Sequence, residues 1–248
     1  MPGTEVSIPT PDGNARAFVF TPEGQGPWPA VILYMDAIAI RPALFEMAER
    51  LADRGYYVLL PDMFWRAGDY AQVDAKRVFT DEALRAELFT KLMPSTDPEK
   101  SMRDTGAFLA WIAAQPLAKP GPVGATGYCM GAGMALRAAG TYPDKVTACA
   151  GFHGGRLATD EPDSPHLLAP KIEAEVYMAG ADNDGGFPPE QADRLREALT
   201  AAGVTNTVVI YEGALHGWVP ADTPVHNPAA AERHWTALFD LLDRNLKG

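Results

Sequence analysis

Cysteine is nearly absent from this chain, whose 248 residues hold only Cys129 and Cys149. Two thiols make no disulfide framework, so each is expected to be reduced and is judged by its own surroundings. Basic residues are also in deficit. There are 21 Lys plus Arg against 32 Asp plus Glu, a formal charge of −11 with no basic run, which argues against nucleic acid as a partner. Long apolar runs are missing too: the longest are of strand length, far short of a membrane span. The opening MPGTEVSIPTPDG lacks the basic, apolar, small-residue order of a secretory signal, so the expectation is a soluble cytoplasmic protein. With no internal repeat and no low-complexity linker, one domain over residues 1–248 is expected, large enough for a sizeable core.

What is present is a rhythm. Short strand-like pieces come first, EVSIPT and ARAFVF around the turn PDGN, and predict an antiparallel start. From AVILYM onward strand and helix alternate: RPALFEMAERLADRG is helical and stops at Gly55, then YYVLLPD is a buried strand. The rhythm breaks over residues 63–98, where YAQVDAKRVF and EALRAELFTKL read as helices outside the pattern and suggest a cap-like excursion over a site. It resumes with helix DPEKSMRDTGAFLAWIAAQ, strand PVGATGY, a helix from Cys129 to about Tyr142, and strand KVTACAGF. Strand AEVYMAG, helix PPEQADRLREALTAAG, strand NTVVIYEG and helix PAAAERHWTALFDLLDRNL complete it. Repeated strand–helix units predict an α/β fold, with a mostly parallel central sheet flanked by helices on both faces. Ligands in such folds bind beyond the carboxyl ends of the strands.

The chemistry-bearing stretch is VGATGYCMGAGMALRA, in which Cys129 stands between Gly127 and Gly131 where a strand gives way to a helix. A nucleophile on so sharp a turn needs small neighbours two positions either side. GYCMG is the G-x-S-x-G nucleophile elbow of the α/β-hydrolase fold with Cys in place of Ser. The turn sets the thiol at a helix N-terminus, which favours thiolate, and aims the backbone N–H of Met130 at a developing oxyanion. The alternative for such a Cys is a small buried hydrophobe. The later loops favour the nucleophile, because in this fold the acid and then the base follow in chain order. His216, in YEGALHGW after NTVVIYEG, is placed as general base. For the acid, AGADNDGGFPPE holds both Asp182 and Asp184.

Cys129 in GYCMG, the acidic loop before FPPE and His216 in YEGALHG together resemble the dienelactone hydrolase family, cysteine-dependent members of this fold, and the likeness covers almost the whole chain. AERLADRGYYVLLPDMFWR and FHGGRLA carry it further. The resemblance implies hydrolysis of a small ester or lactone through an acyl-thioester on Cys129, with no metal or organic cofactor, in a monomer or homodimer. It favours Asp184 as the acid, four residues before Pro188, with Asp182 in reserve. It also draws attention to Asp36, at the end of VILYMD where the family commonly carries an acidic residue near the nucleophile, and loop position makes Ala37 the second oxyanion donor.

One feature of the family is missing. Enzymes acting on dienelactones use arginines to hold the substrate carboxylate, one of them shortly after the catalytic His. Here HGWVPADTP has none, so an anionic substrate is not carried over; Arg41, Arg66 and Arg77 are the candidates that could supply an anion site from other loops. Cys149, inside VTACAGF, reads as core. His153 ends that strand on the site side and is a candidate pocket-lining residue. Phe64, Trp65 and Tyr70 could line an apolar pocket or pack the excursion down, and His226 and His234 read as surface residues. Two other functions fit the same fold: a non-catalytic ligand-binding module, and a redox-sensing thiol. Neither needs the ordered acid and base.

Overall fold

A computed structural model describes residues 3–248. Strands β1 (Thr4–Thr10) and β2 (Gly13–Phe20) pair antiparallel, as the turn between them requires. β1 alternates exposed and buried positions, the signature of a strand at a sheet edge. β3 (Ala30–Tyr34), β4 (Tyr57–Pro61) and β5 (Val123–Tyr128) are buried along their whole length, because helices cover both faces of the sheet there. β6 (Val146–Phe152), β7 (Glu175–Ala181) and β8 (Asn206–Tyr211) complete an eight-stranded sheet of order β1-β2-β4-β3-β5-β6-β7-β8. From β4 to β8 every pairing is parallel.

Helix α1 (Pro42–Asp53) starts on a proline and buries Leu44, Met47, Ala48 and Leu51 at helical spacing; Gly55 follows it at φ +99. Helix α4 (Pro98–Ala113) is capped by Asp97, whose carboxylate accepts from the Lys100 N–H. Helices α5 (Met130–Thr141), α6 (Pro189–Ala201) and α7 (Pro228–Leu246) follow their strands as the alternation predicts. α1 and α7 lie together, joined by the ion pairs Arg50–Glu232 and Arg54–Asp243. A Cβ on Gly124 of β5 would meet Leu242 and Leu246 of α7, whereas one on Gly127 would meet the backbone of α5. Since side chains alternate along a strand, α5 and α7 cover opposite faces.

Within 63–98 the structure has α2 (Ala75–Thr80), α3 (Glu82–Leu92) and two short 3-10 turns, Trp65–Ala67 and Met93–Ser95. α2 starts later than the sequence pattern suggests. Asp74 caps it by accepting from Lys76 N–H, and Tyr70 is drawn away to donate its hydroxyl to Asp62 at 2.7 Å. α3 buries only Leu88 and Leu92 and is thus lightly anchored.

His234 corrects the sequence reading: it is fully buried, not a surface residue. It sits on the apolar stripe of α7 with Ala231, Trp235, Leu238 and Leu241. Its Nδ1–H donates to the Ala231 carbonyl at 3.1 Å, leaving Nε2 to accept from the Tyr128 hydroxyl at 2.8 Å. Burial holds its pKa down to about 3, so the ring is a neutral core group. His226 is half-buried, its Nδ1 bonded to the Trp218 carbonyl at 3.0 Å.

The packing of α5 on the sheet separates two of its glycines. A Cβ on Gly131 would run into the backbone of Tyr34 and Met35, whereas one on Gly133 would find only Leu157 Cδ2 at 3.7 Å. Gly131→Ala should therefore destabilise the protein by about 1–3 kcal/mol or prevent folding, since backbone cannot move aside cheaply. Gly133→Ala should stabilise it by about 0.5–1 kcal/mol through helix propensity. Thermal and denaturant unfolding of both variants distinguishes these signs.

Candidate active site

The path from β5 into α5 turns through one residue. Cys129 adopts φ +53, ψ −113, a left-handed conformation costly for any residue with a Cβ. The turn is held by Cys129 N–H donating to the Phe152 carbonyl at 3.0 Å and by Ala132 N–H donating to the Cys129 carbonyl at 3.2 Å. Gly127 and Gly131 make it possible, since a Cβ on Gly127 would collide with the Gly131 carbonyl. The result lifts the Cys129 side chain to the C-terminal edge of the sheet, partly exposed.

Two more loops converge there. His216 follows β8 in a loop flexed at Gly213 (φ +72) and Gly217 (φ +100). Its Nδ1 lies 2.7 Å from Asp184 Oδ2; a carboxylate only accepts, so Nδ1 carries the hydrogen and Nε2 is left free in the cavity that Cys129 also lines. Asp184 is fixed in turn by the Gly186 N–H, which donates to Oδ1 at 2.8 Å. Asp182 instead accepts from the Gly213 N–H at 2.9 Å, pinning the His216 loop from below. Burial disfavours a charged His216, but Asp184 and then Cys129 outweigh it and push its pKa up to about 10. Burial likewise opposes ionisation of Asp184, yet the His216 hydrogen bond and the Gly186 N–H hold its carboxyl below the usual range.

Met130 and Ala37 line the same cavity as Cys129 and His216. The Ala37 loop is shaped by Asp36, which is buried and accepts from the Ile38 N–H at 2.9 Å. The Asp36 carboxylate is taken up by Arg41 in a two-pronged pair, at 2.7 and 2.9 Å, rather than turned to the thiol. Arg41, 1 % exposed, also reaches Asp222 at 2.7 Å in the segment after His216. It therefore ties the Ala37 loop to the His216 segment. His153 lies behind the site: its ring meets those of His216 and Trp218 edge-on, with centroids 5.3 and 5.0 Å away, and it is absent from the cavity lining. Burial first, and then the charge of His216, hold its pKa well below the ordinary value.

The cavity is about 710 Å³ and has the excursion as one wall, through Phe89, Met93 and Thr96. Phe64, Trp65 and Tyr70 pack the excursion down instead: Phe64 is fully buried, and the Trp65 indole N–H donates to Asp104 at 3.0 Å. The three arginines singled out from the sequence are spent elsewhere, Arg41 as above, Arg66 on Asp12 and Asp104, and Arg77 on Asp81. Two others line the cavity, Arg137 from α5 and Arg156 from the loop after β6. The sequence signal for Arg137 was the i, i+3, i+4, i+7 stripe from Met130, which continues the nucleophile helix. Arg156 carries no such signal.

A sequence profile described as the dienelactone hydrolase family matches residues 15–246. A curated protein of Synechocystis, named "Putative carboxymethylenebutenolidase", is 26 % identical over 98 % of this chain and 97 % of its own. One of the same name from Methylorubrum extorquens is 26 % identical over 95 % of this chain and 79 % of its own. Among solved structures, a "Putative Dienelactone Hydrolase" from Klebsiella pneumoniae superposes with a TM-score of 0.82 at 23 % identity, covering 96 % of this chain and 98 % of that one. This likeness is one of fold, an α/β-hydrolase sheet of mostly parallel strands between helical layers. With a profile that spans all but the first 14 and the last two residues, the chain belongs to the dienelactone hydrolase family and is a hydrolase.

Proposed function

We propose that this protein hydrolyses small esters or lactones by nucleophilic catalysis on Cys129, with His216 moving the proton and Asp184 orienting His216. The observation that carries the reading is that the strained Cys129 turn opens on the same cavity as His216, whose Nδ1 is held by Asp184 Oδ2 at 2.7 Å. The names of the curated relatives support an ester or lactone as substrate.

The chemistry follows from that geometry. With its pKa raised to about 10 by Asp184 and then Cys129, the His216 ring readily holds the proton of the Cys129 thiol, so the sulfur attacks as a thiolate beside an imidazolium. The thiolate attacks the carbonyl carbon, and the oxyanion is met by the backbone N–H groups of Met130 and Ala37. When the intermediate collapses, the C–O bond breaks and the departing alkoxide takes the proton from His216 Nε2, leaving an acyl-thioester. Neutral His216 then draws a proton from water, whose oxygen attacks the thioester carbon; the C–S bond breaks and the thiolate–imidazolium pair is restored. No metal or organic cofactor enters these steps, and the partner is a small molecule met in the cytoplasm by a monomer or homodimer.

A redox role for Cys129 is disfavoured by the position of Cys149. It pairs in register with Ala125, four residues before Cys129, roughly 13 Å along the strands and beyond disulfide reach. Burial also pushes the Cys149 thiol pKa up, making it unreactive.

Assayed on a panel of aryl esters and lactones, Cys129→Ala should lose at least about 10³-fold in turnover while Cys149→Ala keeps most of it. Intact mass should place the acyl adduct on Cys129; comparable losses in both variants would refute the assignment. Asp184→Asn should lower kcat by about 10²–10⁴-fold, far more than Asp182→Asn, because it removes the acceptor that fixes the imidazole.

The same substitution has a pH signature. A folded-state pKa raised from 6.5 to about 10 gives stabilisation that is complete below about pH 6.5 and is lost as pH rises through about 10. Melting temperature and the alkaline limb of kcat should both fall over that window in the wild type, and both should move toward neutral pH in Asp184→Asn. An unmoved alkaline limb would assign it to another group.

A further inference from the structure

Taking Cys129 as the nucleophile, we propose that the cavity is built for an elongated ester whose far end carries a carboxylate, with the reacting carbonyl at Cys129 and the anion at Arg137. The cavity floor is one stripe of α5, Met130, Gly133, Met134 and Arg137, which leads from the thiol end to a guanidinium. Arg137 lies eight residues past Cys129, about 12 Å along the axis, and its side chain leans back toward the N-terminus, leaving a span of roughly 8–10 Å. Phe89, Met93 and Pro165 give the span apolar walls.

Two observations single out Arg137. Its side chain is 16 % exposed, yet its only ion-pair contact among the described residues is a loose one, 3.5 Å from Asp163, which is itself 63 % exposed. Burial lowers its pKa and Asp163 only partly restores it, so the cation is short of counter-charge. A substrate carboxylate arriving through the cavity would displace the exposed Asp163 and supply a charge-assisted, two-pronged pair. The other charges around the cavity leave that role open. Asp97 is engaged as the α4 cap and with Lys100; Glu161 and Arg156 stand exposed at the mouth. Arg156 sits at φ +56, in the left-handed region that a residue with a Cβ adopts only at some cost.

Gly133 is the second, independent observation. A glycine inside a helix costs stability, and here no backbone approach demands one, since a Cβ would meet only Leu157 at ordinary contact distance. What its missing side chain provides is clearance on the floor midway between Met130 and Arg137.

The test is calorimetric binding to the Cys129→Ala protein, with monomethyl esters of unbranched dicarboxylic acids of four to twelve carbons compared with their dimethyl esters. The half-esters should bind at least about tenfold more tightly than the diesters, as expected for one charged hydrogen-bonded pair. The difference should peak at a spacer of roughly six to eight methylenes, given C–C bonds of about 1.5 Å. It should shrink to under about twofold when Arg137→Met is added, persist in part with Arg137→Lys, and Gly133→Leu should weaken long half-esters more than the shortest. The absence of a difference at any length, a difference independent of length, or one that survives Arg137→Met in a protein of normal circular dichroism would overturn the proposal. Turnover of the shortest diester by the wild type reports separately on Cys129, so failure of the nucleophile and failure of the anion site are told apart.

Discussion

The left-handed turn at Cys129 is the constraint around which the other parts of the site are arranged. A side chain at φ +53 is held only if its surroundings leave no alternative, and here they do so through backbone contacts. Gly127 sits against the Gly131 carbonyl, and Gly131 against the backbone of Tyr34 and Met35 at the end of β3. The start of α5 is therefore pressed onto the sheet next to the loop that holds Ala37. The close packing that makes the turn possible also sets Met130 and Ala37 beside Cys129.

Electrostatics then fixes the loops, which have little packing of their own. Asp184 and Asp182 come from one loop and act on another: the first bonds the His216 ring, the second the Gly213 N–H. Arg41 joins a third loop to the segment past His216 through Asp36 and Asp222. A buried ion pair is weak evidence for stability, because desolvation offsets much of the attraction. Its effect here is geometric: the guanidinium fork fits Asp36 in one orientation, and that orientation shapes the Ala37 loop. In consequence Asp36 is turned away from the thiol, although its place in the sequence matches the family's acidic residue.

Around this centre the walls differ in firmness. The floor is a helix packed on the sheet, while the facing wall is the 63–98 excursion, whose α3 buries two side chains and leaves Phe89 exposed. Rigid chemistry under a lightly held wall suits an enzyme that must admit and release its ligands through one opening. The arginines lining the cavity come from the floor and from the loop after β6, so any anion is positioned by the firm side.

The order and nature of the elements were legible in the sequence, because the periodicity of buried residues within one strand or helix is written in consecutive positions. The elbow was legible for the same reason: Gly127, Cys129 and Gly131 are neighbours in the chain and their spacing is the constraint. His216 and an acid in the loop after β7 followed from chain order. The buried stripe of α7 was also written there, and His234 belonged to it, yet its polarity masked the 3.6-residue period. What only the tertiary structure decided are pairings between distant loops. Asp184 and Asp182 are two residues apart, and which one meets His216 depends on how a loop after β8 folds across them. Arg41, Arg66 and Arg77 were plausible from proximity to predicted loops, but each is matched to a carboxylate that lies elsewhere in the chain or across a helix turn, whereas Arg137 and Arg156 reach the cavity. Within an element the backbone fixes side-chain direction; between elements, direction is settled by which opposite charges and which surfaces the packed sheet brings within a few ångströms.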